Sequence, residues 1–187
     1  HVFKANNGEI AESGGDKHSL GRWAKVRLLA WDEHFEVSPG DSNSQTSKDF
    51  VAYSKDGKTI DTVTGSDQQG WVGRAVNDYV QYLRQELGYG AAKSRRFIDT
   101  SCALLACETA GGPVGKVVQF TLSETSISAF TSYQQELEGQ AKCAAMGLPG
   151  FSLPEDPLTF FFVRELASKG NNRWTKLRIE TSMPTKL

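Results

Sequence analysis

The chain lacks the residue patterns that metal centres and common catalytic sites need. Among its 187 residues there are only three histidines and three cysteines, and no Cys-x-x-Cys or His-x-x-x-His spacing occurs. Gly-x-Ser-x-Gly and a P-loop are also absent. Aspartates and glutamates are scattered, which disfavours a two-metal nuclease centre. We therefore predict a protein that is not an enzyme, with no catalytic residue, no metal site and no cofactor.

Long apolar runs and a cleavable leader pattern are missing as well. No run reaches the ~18 apolar residues of a membrane-spanning helix, so we predict no membrane partner and a cytoplasmic location. Cys102 and Cys107 lie on opposite sides of one predicted strand and cannot pair within it. Reduced cysteines agree with a cytosolic protein. The net charge is −1, so any site for a polyanion must come from local clusters of basic residues.

The patterns that are present are mainly those of β-strands. The polar, Gly-rich residues 1–20 predict a flexible arm, and residues 21–183 a single domain. Helices are predicted near residues 72–87 and 124–138. Strands are predicted at residues 23–37, 50–53, 59–63, 95–106, 116–122, 158–164 and 173–180. Because strands and helices do not alternate regularly, we expect a mainly β (α+β) protein. Its predicted architecture is an antiparallel, partly open Greek-key barrel with two helical insertions.

Three clusters combine basic and aromatic residues, and together they are the candidate nucleic-acid-binding residues. They are Arg22, Trp23, Lys25 and Arg27; Tyr89, Arg95, Arg96 and Phe97; and Arg173, Trp174, Lys176 and Arg178. Alternation along a strand places Trp174, Lys176 and Arg178 on the face opposite Leu177 and Ile179. Binding of single strands requires aromatic rings for unstacked bases and cations for phosphates. A solvated strand face would look similar, and for the first cluster both interpretations stay open.

The second half of the chain also resembles a known family. A strand opens with Arg95-Arg96-Phe97, and a helix carries Phe130-x-x-Tyr133-x-x-x-Leu137. The chain closes with Trp174-x-x-Leu177-x-Ile179-Glu180. Over about residues 95–181 this order resembles phage-encoded single-stranded DNA-binding proteins with an oligonucleotide-binding (OB) barrel. The resemblance implies an OB-like domain that binds single-stranded DNA with little sequence preference. It also implies strand protection during DNA replication or recombination, in the host cytoplasm if the chain is phage-encoded.

Several alternatives stay open at this point. RNA is an alternative ligand, and a second copy of the chain or replication and recombination proteins are alternative partners. A second class is a viral or mobile-element structural or protein-interaction domain without nucleic-acid binding, because exposed Trp and Arg are also frequent at protein interfaces. A third is an enzyme whose active-site residues are scattered along the chain. Similar phage proteins often carry a cysteine cluster before the Arg-aromatic strand, whereas residues 65–92 contain no cysteine.

Overall fold

The computed structural model describes residues 2–6, 9–12, 18–40, 45–150 and 155–184. The described chain is mostly β, with two α-helices between strands, which confirms the predicted α+β class. The strands are β1 (Val2–Asn6), β2 (Glu9–Glu12), β3 (Ser19–Gly21), β4 (Trp23–Ser38), β5 (Ala52–Ser54), β6 (Thr62–Val63), β7 (Lys93–Cys107), β8 (Val117–Leu122), β9 (Thr159–Lys169) and β10 (Asn172–Glu180). The helices are α1 (Val76–Gln85) and α2 (Glu124–Ala145), with 3-10 helices at Gln45–Phe50 and Ser66–Trp71.

The strands form one mixed sheet. Their order is β10-β9-β4-β7-β8-β1-β2-β3, and off this path β5 pairs with β4 and β6 with β5. The pairs β1–β2, β2–β3, β4–β5, β4–β9, β5–β6 and β9–β10 are antiparallel. β1 and β8 instead run parallel, with Phe3 opposite Phe120. The prediction of an entirely antiparallel sheet is therefore corrected at this pair.

The N-terminal residues do not form the predicted flexible arm where the structure describes them. They form β1, β2 and the first residues of β3. Phe3, Ile10 and Leu20 are completely buried. Each of these short strands buries one large apolar side chain, and burying a Phe, Ile or Leu contributes about 1.5–3 kcal/mol to its attachment. Because glycines and polar residues separate these three apolar residues, the sequence pattern does not indicate the strands.

Two compact units are found where the sequence predicts one domain. The first comprises residues 1–31 and 99–187 and the second residues 32–98. In the first unit, β1 approaches β10 although the two strands are far apart in the sheet order, so the sheet curls. Ring contacts run from Phe3 to Phe120, then to Phe162 and Phe160, at centroid distances of 5.9, 4.7 and 5.1 Å. Tyr133 of α2 packs on Phe160 at 5.2 Å. This barrel-like core agrees with the expected architecture at the coarse level.

The second unit has its own core around α1 and the β5–β6 hairpin. Its buried members are Val37, Ala52, Ile60, Val63, Val76, Tyr79, Val80, Leu83 and Ala92. A hairpin forms around Asp56-Gly57, between the strands predicted at residues 50–53 and 59–63. The Asp56 carboxylate accepts hydrogen bonds from the backbone N–H groups of Lys58 and Thr59 at 2.7 and 2.8 Å. The helix α1 is shorter than the predicted span 72–87. Before it, Ala75 has an extended backbone, and after it the chain turns away at Gly88, which has a φ of 76°. The second helix instead runs past its predicted end at residue 138.

Candidate nucleic-acid interface

The first and third basic aromatic clusters share one face of the sheet, because β9 lies between their strands. Across β9, Val163 is opposite both Trp23 of β4 and Arg178 of β10. Residues directly opposite each other in a sheet point to the same side. The same face therefore carries Trp23, Lys25 and Arg27 from β4 with Trp174, Lys176 and Arg178 from β10. We call these six side chains and the β9 residues between them the outer face.

The other side of the same three strands is the core. Ala24 and Val26 of β4, Phe160 and Phe162 of β9, and Leu177 of β10 are all buried. The alternation of β4 and β10 thus separates a core side from a basic aromatic side. On this point the predicted orientation of Trp174, Lys176 and Arg178 opposite Leu177 is confirmed.

An apolar floor from β9 lies at the centre of the outer face. Phe161 and Val163 are buried although they lie on this face. The Trp23 ring meets the Phe161 ring edge-on at 5.9 Å, and Lys25 Nζ lies 5.8 Å from the centre of the same ring. Trp23 is therefore held in place by Phe161 and stays half-buried. Phe161 is not among the predicted binding residues, although the unbroken apolar run of residues 160–163 indicates a strand covered on both sides.

Trp174 is neither part of the core nor fully exposed. It lies opposite Ala167 and is half-buried. Its indole Nε1 is buried and has no hydrogen-bond partner in the part of the chain that the structure describes. One edge of the ring is thus turned into the protein, and only part of the side chain is exposed to solvent. Only that open part is available to a ligand.

Carboxylates accompany most cations of the outer face. Lys176 Nζ lies 3.1 Å from Glu165, Arg178 2.5 Å from Glu180, and Arg27 3.6 Å from Asp156. Lys25 has no carboxylate within 4.0 Å among the described residues. Because exposed ion pairs contribute only about 0–1 kcal/mol, these carboxylates can be exchanged for another anion at little cost.

A groove of about 460 Å³ lies at one end of the outer face. Lys25 and Phe161 belong to both, and Tyr133, Glu155 and Met183 line the groove as well. The Tyr133 hydroxyl donates to the Pro157 carbonyl at 2.7 Å, and burial, with Glu136 and Asp156 adding to it, raises its pKa. The groove is thus lined by aromatic rings, one ammonium group and carboxylates.

Two predicted residues of these clusters lie away from the outer face. The Arg22 guanidinium and its backbone N–H both donate to the Glu108 carboxylate, which joins the start of β4 to the end of β7. This hydrogen bonding lowers the pKa of Glu108 and raises that of Arg22. Arg173 is exposed, but alternation places it on the side opposite Trp174. Arg22 and Arg173 are therefore not brought to the predicted site.

The second cluster belongs to the other unit, where its members have internal contacts. Arg96 makes two hydrogen bonds to the Glu33 carboxylate, at 2.7 and 2.6 Å. Phe97 stacks on His34 with a centroid distance of 5.5 Å. Tyr89 packs against Phe50 at 5.7 Å, beside the core of that unit. The charge of the half-buried Arg95 opposes the rise that burial causes in the pKa of Glu36. These four residues belong to the second unit, whereas the outer face belongs to the first.

The described residues contain no group of three or more His, Cys, Asp or Glu side chains placed to hold a metal ion. None of their helices combines the length and apolar character needed to cross a membrane. The cysteines are free, and burial raises the pKa of the Cys102 thiol to about 11. Comparison with protein-family models, with characterised proteins and with solved structures finds no match for this chain.

Proposed function

We propose that the outer face binds single-stranded nucleic acid with little sequence preference, and that the first unit is an OB-like barrel with this face as its binding surface. The observation that carries the proposal is the common face of Trp23, Lys25 and Arg27 with Trp174, Lys176 and Arg178. Protection of single strands during DNA replication or recombination is the role that the family resemblance adds.

The spacing of the outer face suits an extended strand. β4 and β10 are separated by β9 alone, so their side chains form two rows about 10 Å apart across the strands. The rows are offset along the strands, with Trp23 level with Arg178. Each row places a tryptophan next to cations along the strand. Bases that stack on exposed parts of Trp23 and Trp174 would contribute ~1–3 kcal/mol each. Phosphates would replace Glu165, Glu180 and Asp156 as partners of the cations.

The composition of the face explains why sequence preference should be weak. Among the described residues, Asn172 is the only Asn or Gln side chain on this side of β4, β9 and β10, and the arginines and lysines of the face are expected to bind phosphates. Stacking accepts every base, because each base has a π-face. Reading of a duplex usually places a helix or a β-ribbon in the major groove, whereas the proposed contacts lie on the surface of a sheet.

The first test is titration with oligo-dT at two salt concentrations, read by tryptophan fluorescence. Lys25→Ala should weaken binding to all single strands alike and make the slope of log K against log salt shallower by about 0.7. Trp174→Ala should lose about 1–3 kcal/mol of binding. Lys142→Ala, which removes an exposed cation from α2, is the matched control and should change neither quantity.

Thermal melts of the same variants separate binding from folding. A normal melt with weakened binding supports the outer face as the site. Binding that is insensitive to salt, or equally strong to duplex, contradicts the proposal.

The second candidate function is a protein-interaction domain without nucleic-acid binding. It is favoured by Leu166 on β9, an apolar side chain that is 64% accessible to solvent. For that function, oligo-dT should leave the tryptophan fluorescence unchanged.

A further inference from the structure

The far end of β9 has a free edge. Pairing between β9 and β4 stops at Arg164, whose N–H donates to the Arg22 carbonyl at 2.8 Å. From Glu165 to Lys169 the only strand that pairs with β9, among those the structure describes, is β10. The turn of the hairpin follows at once, because Lys169 is opposite Asn172 with Gly170 at φ 60° between them. A segment of five residues is thus left with one unpaired side.

The backbone groups on this edge point outward in a defined pattern. Neighbouring residues of a strand direct their N–H and C=O groups to opposite sides. Since the Arg164 N–H points toward β4, those of Leu166 and Ser168 point to the same, open side. Both side chains are exposed as well. An unpaired strand edge with an exposed apolar residue is a site for pairing with another strand.

The charges of the segment identify its partner. Its sequence is Glu165-Leu-Ala-Ser-Lys169, with a negative residue at one end and a positive residue at the other. In an antiparallel pair centred on Ala167, Glu165 of each copy lies opposite Lys169 of the other. We infer that the edge of β9 from Glu165 to Lys169 pairs with the same segment of a second copy of this chain. Leu166 of each copy then exchanges both backbone hydrogen bonds with Ser168 of the other.

The size of the contact sets its strength. A five-residue edge is far smaller than the ~800 Å² per partner of a standard interface, so the dimer should be weak and depend on concentration. The two-fold axis is perpendicular to the sheet, so the outer faces of both copies point the same way. If the proposed function holds, a single strand that spans both faces would strengthen the dimer by raising the effective concentration.

Disulfide trapping tests the register without nucleic acid. Ala167 lies on the axis, in a non-hydrogen-bonded pair with Cα atoms about 4.5 Å apart, which is within disulfide range. In a Cys107→Ser, Cys143→Ser background, Ala167→Cys should form a covalent dimer under mild oxidation. Ser168→Cys is the matched control: it is more exposed, but it faces Leu166 of the second copy and should cross-link much less. Equal cross-linking at both positions, or none at Ala167→Cys, overturns the inference.

Sedimentation velocity over a range of protein concentrations tests the charge pairing. Lys169→Glu places two glutamates opposite each other at both ends of the contact and should weaken the dimer roughly tenfold. The double variant Glu165→Lys, Lys169→Glu restores opposite charges and should recover the dimer. A monomer at every concentration for the original chain, or a double variant as weak as the single one, contradicts the inference. Neither outcome bears on the proposed binding of single strands.

Discussion

At the scale of single residues, the carboxylates of the outer face are expected to compete with a bound polyanion. Arg178 lies 2.5 Å from Glu180, so a phosphate must displace this carboxylate to reach the guanidinium. Glu180→Gln removes the competing charge and should tighten binding of oligo-dT severalfold, with the largest gain at low salt. Glu138→Gln, an exposed carboxylate on α2, makes the same change in net charge and should have a smaller effect. Equal effects of the two substitutions would mean that only net charge matters and that Arg178 does not contact the ligand.

The Arg22–Glu108 pair makes a second residue-scale prediction, which concerns stability and pH. Hydrogen bonds from Arg22 lower the pKa of Glu108, so the folded state favours the ionised carboxyl. The pair therefore contributes stability above the unfolded pKa of about 4.3, and this contribution is lost as the pH falls through the lowered folded value. Because the pair is partly exposed, Glu108→Gln should cost no more than about 1 kcal/mol at pH 7.

Urea denaturation at several pH values checks this sign. The difference between the original chain and Glu108→Gln should be largest near neutral pH and should shrink below about pH 4. A difference that grows as the pH falls would mean that the carboxyl is stabilised in its neutral form, contrary to the structure. Glu138→Gln again serves as the control, with no expected dependence of this kind.

At the scale of elements, the edge of β10 depends on a side chain from α2. The Leu177 N–H points away from β9 and donates to Ser126 Oγ at 2.9 Å, in a fully buried position. Ser126→Ala leaves this N–H without an acceptor and should cost about 1–3 kcal/mol in the free energy of unfolding. Ser132→Ala, an exposed position on the same helix, should change stability by less than about 0.5 kcal/mol. Equal losses in the two variants would show that helix propensity, and not the hydrogen bond to β10, explains the effect.

Sequence patterns were sufficient for the elements whose apolar residues repeat regularly. The strands β4, β7 and β10 lie close to their predicted positions, because alternation acts locally, whereas β9 continues to Lys169, past its predicted end at residue 164. The first three strands could not be recognised, since each is short and its burial depends on partners far away, such as Phe120 for Phe3. The parallel β1–β8 pair is equally non-local. Alternation within a strand gave the faces correctly, but not which strand lies beside which.

The candidate site shows the same limit. That Trp23 and Trp174 share a face follows only from the position of β9 between β4 and β10, with Val163 opposite both strands. The sequence separates Trp23 from Trp174 by many residues and contains no local signal of this pairing. Conversely, the sequence pattern predicts Arg96 and Phe97 as binding residues. In the structure, Arg96 donates to Glu33 and Phe97 stacks on His34, both residues of β4. The acidic partners of basic residues lie far away in the sequence, so composition alone does not show which basic residues are paired.

At the scale of the whole molecule, the two units have separate cores, and this predicts separate responses to mutation. Leu83 is completely buried within the second unit, and Phe120 within the first. Leu83→Ala should cost about 2–5 kcal/mol and Phe120→Ala about 3–5 kcal/mol, each mainly in its own core. The two units need not lose the same stability, because local opening follows the packing of each region.

Amide hydrogen exchange distinguishes separate from joint unfolding. Leu83→Ala should accelerate exchange in α1 while the β9–β10 hairpin keeps its protection, and Phe120→Ala should do the reverse. Because the outer face lies entirely in the first unit, Leu83→Ala should also leave the affinity for oligo-dT unchanged, whereas Phe120→Ala should reduce it. If both variants accelerate exchange equally throughout the chain, β4 and β7, which contribute residues to both units, couple them into one cooperative structure. The binding face would then depend on the second core as much as on the first.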